Sequence, residues 1–116
     1  MALSENFKNS NIKTISATIA NGQTKTGIID LSGTTMSGFY TPSALTGTSF
    51  TFEASYDGIN FFPIKDETNS TITYTVSPNN FYRTLATSFY GVRLLKIVSN
   101  SAEAADRDLI IQPYAV

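Results

Sequence analysis

Nine carboxylates and eight basic side chains carry all the ionic chemistry open to this chain, because it contains neither histidine nor cysteine. Without histidine there is no general base that titrates near neutrality, no Ser-His-Asp or Cys-His arrangement, and few of the usual ligands of zinc. A carboxylate pair, a lysine, a tyrosine or an oxygen-bound calcium or magnesium ion would have to do any chemistry. Acids gather in three places. Asp57 sits in ASYDGINFFPI, Ala54 to Ile64, among Tyr56, Phe61 and Phe62; Asp66 and Glu67 follow closely; Asp106 and Asp108 flank Arg107. None has the ligand run of a calcium loop, and no spacing marks two carboxylates as partners across a cleft. The expected roles are therefore structural: a turn for Asp57, a solvated loop for Asp66 and Glu67, and a local charge pair around Arg107. No catalytic, metal or cofactor residue is nominated.

The elements that carry these residues are strands. Ile15, Ala17 and Ile19 alternate with Ser16 and Thr18 and run into Asn21-Gly22, the pattern of a strand entering a turn. KTGIIDL and MSGFYTP follow as short strand-like runs. TSFTFEAS, Thr48 to Ser55, has Phe50, Phe52 and Ala54 on one face; NFFPIK is its expected partner. TITYTVS, FYRTL, VRLLKIVS and RDLIIQPY complete the set, whereas ATSFYG is too short for more than a turn of helix or a loop. VRLLKIVS has apolar residues on both faces, as a strand covered on both sides would. No apolar set recurs at helical spacing over two turns, so the chain is expected to be all-β, a single antiparallel sandwich with jelly-roll or other Greek-key connections. Residues 1–11 are too polar and aperiodic to join it and form an expected N-terminal arm, leaving 12–116 as the sandwich domain.

Register assigns a role to the stretch around Asp57. A three-residue loop of Tyr56, Asp57 and Gly58, with Gly58 at positive φ, pairs Phe52 with Phe62 and Phe50 with Ile64 and buries all four. Phe61 and Pro63 then turn outward. Outward aromatics can stack on sugar rings or anchor another protein chain. Tyr56, Phe61, Arg93, Leu95 and Ile97 are accordingly the candidate interface residues, and Tyr56, Phe61 and Tyr90 the stacking residues of a possible carbohydrate site.

Composition narrows the partners. At 116 residues with a 41% hydrophobic share the chain can bury a core of its own, and a net charge of -1 without basic clusters disfavours nucleic acid. No apolar run approaches the ~20 residues of a membrane span, and no signal-peptide pattern opens the sequence. Synthesis in the cytoplasm is the expectation.

TISATIANGQTKTGIIDLSG, TSFTFEASYDGINFFPIKD, TYTVSPNNFYRTLATSFYGVRLLKIVS and ADRDLIIQ, in that order, resemble a group of small virion proteins of tailed bacteriophages. The likeness spans Thr14 to Gln112 and rests on strand and turn grammar. It implies a capsid decoration, or cement, protein: a jelly-roll-like sandwich, often trimeric, seated on the outer surface of the shell and tying major capsid proteins together. No catalytic residue is transferred by it.

Overall fold

The computed structural model describes residues 13–115, and the expected arm, 1–11, lies outside them. Nine strands alternate with turns: β1 (Ile15–Ile19), β2 (Ile29–Asp30), β3 (Thr34–Tyr40), β4 (Ser49–Ser55), β5 (Phe62–Pro63), β6 (Tyr74–Thr75), β7 (Phe81–Arg83), β8 (Leu94–Ser99) and β9 (Arg107–Ala115). One 3-10 turn, Ala86–Phe89, interrupts them where ATSFYG offered no strand pattern. Every pairing between them is antiparallel.

The strands form two sheets, one in the order β1-β9-β3-β7 and one in the order β2-β8-β4-β5, with β6 also on β4. Counting β5 and β6 as one interrupted strand beside β4 gives eight strands, four to a sheet, that cross between sheets at every step except β4 to β5. That is the double Greek key of a jelly roll. The interruption has a chemical cause. Residues 65–71 leave the strand and return through the Ile72 amide, which donates to the Ile64 carbonyl at 3.1 Å. Asp66 organises the detour, its Oδ1 accepting from the Thr68 and Ser70 amides.

Between the sheets lie Ile19, Met36, Phe39, Phe50, Phe52, Leu95, Ile97, Leu109 and Ile111, all fully buried. Phe39 of one sheet meets Phe50 and Phe52 of the other at centroid distances of 5.6 and 6.2 Å. A bulge at Ser37 makes this possible. Without the extra residue, Met36 and Phe39 could not both face inward, since side chains alternate strictly along a regular strand.

Two expectations are corrected. Ala54 faces Phe62 and Glu53 faces Pro63, so the hairpin register is two residues from the expected one, and the Ile64 amide bonds to the Phe52 carbonyl. The shift preserves sidedness but carries Phe62 past the end of the core, where it is 54% exposed. In β8, alternation is regular: Leu95 and Ile97 point in, while Leu94, Lys96 and Val98 point out and are half-buried.

Candidate functional site

The loop between β4 and β5 is longer than a three-residue turn because two side chains replace missing backbone partners. Ser55 Oγ accepts from the Asp57 and Gly58 amides, and Asp57 Oδ1 accepts from the Ile59 and Asn60 amides, both at 2.9 Å. The Asn60 side-chain amide holds the other oxygen. Those donors, the Asn60 and Ile59 amides foremost, hold the Asp57 carboxyl down at about 2. Gly58 stands at φ +78°, where a side chain would be strained. Asp57 is thus a turn former, as its position beside Gly58 indicated, and its lone pairs are directed at its own loop.

That loop presents Tyr56 and Ile59, each 81% exposed, to solvent. Tyr56 lies nearly parallel to Phe62, 16° between planes and 6.3 Å between centroids. Below them opens a hollow of about 400 Å³ lined by Ser55, Pro63, Ile64, Lys65, Gly91 and Val92. Lys65 is shared with a second hollow of about 260 Å³, which runs into a third of about 480 Å³ through Asp66, Glu67, Ile72, Thr87 and Ser88. The hollows follow one another in a row, here called the groove, with residues 62–73 on one side and 85–92 on the other.

Both walls are fixed from beneath. Phe89 is fully buried and meets Phe52 edge to face at 5.2 Å. Tyr74 packs edge-on against Phe39 and Phe52, and its hydroxyl accepts the Leu85 amide at 3.2 Å, tying the far wall to the floor.

Of the residues expected at an interface, the structure brings few together. Tyr56 belongs to the groove. Phe61 turns outward as expected, but the Lys96 ammonium lies 4.4 Å from its ring centroid and covers it. Arg93 is exposed and paired to Asp30 through Nε and a terminal nitrogen at 3.2 and 3.3 Å, which lowers the Asp30 carboxyl and raises the guanidinium. Leu95 and Ile97 have no exposed surface and belong to the monomer's own core, so they are unavailable to a subunit contact. Tyr90 lines a separate hollow of about 300 Å³ with Thr34, Thr35 and Gly91, and Gly91 also lines the hollow beneath Tyr56.

The other carboxylates are bound up in holding the fold. Arg107 pairs not with its sequence neighbours but with Glu103, at 2.9 Å; Asp106 accepts the Asn21 amide and Asp108 the Thr18 hydroxyl. Glu103 is 1% exposed. Its oxygens accept the Thr46 and Gly47 amides at 2.8 and 2.9 Å, the Arg107 Nε and the Ser99 hydroxyl. Burial alone would push this carboxyl up, but those donors outweigh it and hold it at about 2. Nothing in NSAEAAD signalled this, since the partners lie 56 and 57 positions away in sequence. Glu67, by contrast, is exposed on the groove. Among the described residues no group of three or more acids could hold a metal ion.

Fold and site together define a jelly-roll domain with a preformed groove at its rim. Comparison with protein-family models, with characterised proteins and with solved structures gives no match.

Proposed function

We propose that this chain is a structural protein of a tailed-phage virion, a decoration protein that binds the outside of the capsid and holds major capsid proteins together. The observation that carries the reading is apolar surface on both outward faces of one small sandwich. On the β1-β9-β3-β7 sheet, the exposed rings of Tyr40 and Phe81 meet at a centroid distance of 4.6 Å, with Phe81 lying across Gly38. On the side of the other sheet, Ile28, just before β2, is exposed, and Leu94 and Val98 of β8 point outward and are half-buried. A module with contact faces on opposite sides is suited to bridging, and many such contacts on a lattice reinforce one another. Use of most described carboxylates as anchors for amides, hydroxyls and cations favours a structural role over hydrolysis. The motif resemblance adds the virion setting, the major capsid protein as partner and a trimer as the assembly.

This corrected surface replaces the contact expected through Leu95 and Ile97. Electron microscopy of particles should place the protein on the capsid exterior, and capsids lacking it should lose their contents at a lower temperature. The F81S variant should fold yet decorate capsids poorly. Capsids equally heat-resistant with and without the protein would overturn the reading.

A further inference from the structure

We infer that the groove between residues 62–73 and 85–92 binds a neutral oligosaccharide. Its two ends differ in chemistry as two consecutive sugar subsites would. At one end the near-parallel Tyr56 and Phe62 offer an exposed aromatic surface, whose electron-rich faces attract the partly positive C–H groups on the flat side of a pyranose ring. Ring hydroxyls instead need acceptors and two-way hydroxyl partners. The other end supplies them: the Glu67 carboxylate, which can accept from two hydroxyls, and the hydroxyls of Thr71, Thr87 and Ser88. Ile72 and Leu85 give this end apolar surface of its own.

Shape and charge narrow the class. The hollows, about 400 and 480 Å³ with one of about 260 Å³ between them that shares Lys65 with the first, suit two or more linked rings better than one. Asp66 and Glu67 outnumber Lys65 along the shared wall, which disfavours sulfated or carboxylated sugars. An added peptide strand is poorly served: Pro63 has no amide proton to give, and the Ile72 amide is already bonded to Ile64. Because Phe89 and Tyr74 fix the walls, binding requires little reordering. This site differs from the expected trio of Tyr56, Phe61 and Tyr90, since Lys96 covers Phe61. It stands apart from the virion reading, which can fail without it and survive its failure.

The test is an array of neutral and acidic oligosaccharides, followed by calorimetry with the strongest neutral binder on the full chain and on Tyr56→Ala, Glu67→Gln and Tyr40→Ala. All three side chains are exposed, so the variants should melt within a few degrees of the parent. Neutral oligosaccharides of two or more rings should bind, with affinity falling about tenfold or more in each groove variant and unchanged in Tyr40→Ala. A silent array, hits confined to acidic glycans, or affinity that ignores Tyr56 and Glu67 would overturn the assignment.

Discussion

At the scale of single residues the least expected finding is Glu103, a buried carboxylate in a loop of small side chains. Its two oxygens accept four hydrogen bonds from groups on three segments, while its backbone holds Gly22 and Gln23. The ion pair with Arg107 matters less than the amides, because removal of the carboxylate would leave buried donors without partners. Glu103→Gln keeps the shape but turns an amide NH₂ toward those donors, and should cost about 2 to 4 kcal/mol in urea denaturation. The sign of the pH effect follows from the carboxyl being held at about 2 against an ordinary value of 4.5. Its stabilisation is complete above pH 4.5 and is lost as pH falls toward 2, a total of about 3 kcal/mol. The parent should therefore lose stability over that interval more steeply than the variant, and parallel pH profiles would contradict the role given to this carboxylate. Asp57, also held low, could be read in advance because its partners lie within three residues. Glu103 could not, since sequence spacing carries no information about an amide 56 residues away.

At the scale of elements, alternation located nearly every strand, and it failed where side chains rewrote the backbone's hydrogen bonding. β4 lies where its period-two pattern puts it, and β9 covers the expected run RDLIIQPY. The β4-β5 register slipped by two because Ser55 and Asp57 bridge amides as far as Asn60, extending a loop that Gly58 alone would have closed sooner. Both faces of β8 are apolar, as the sequence indicates, but alternation alone does not say which one turns out: Leu95 and Ile97, expected at a contact, point in, and Leu94 and Val98 lie outward at intermediate burial. The groove was legible only in Tyr56, because its walls meet through a detour and a 3-10 turn with no periodicity to place them. One glycine offers an element-level test. A Cβ at Gly38 would lie 2.6 Å from Phe81 Cε1 and 2.7 Å from the Tyr82 carbonyl oxygen, so Gly38→Ala must displace the ring and press on β7. We expect a loss of about 1 to 3 kcal/mol. Phe81→Ala made first should relieve the ring's share and leave the carbonyl's, giving a measurable coupling in a double-mutant cycle, whereas strictly additive losses would show that the ring does not rest on Gly38.

At the scale of the whole molecule, the two sheets share one core and should unfold as one. Phe39 is the junction: it comes from the β1-β9-β3-β7 sheet and meets Phe50 and Phe52 across the interface, Tyr74 beneath the groove and Tyr82 in its own sheet. Neither sheet can keep its inner face dry without the other, and Glu103 ties loops from both. Phe39→Ala should then cost about 3 to 5 kcal/mol, the range for removing a buried ring that its surroundings cannot refill. The effect should not stay local. With no tryptophan in the chain, tyrosine signals report the core through Tyr74 and Tyr82, while far-ultraviolet circular dichroism reports the sheets. In the parent and in the variant the two urea transitions should coincide, shifted together. Tyrosine signals that melt ahead of the sheets would mean that the groove floor opens as a separate unit, and the rim would then not be the rigid surface that recognition of a linear sugar requires.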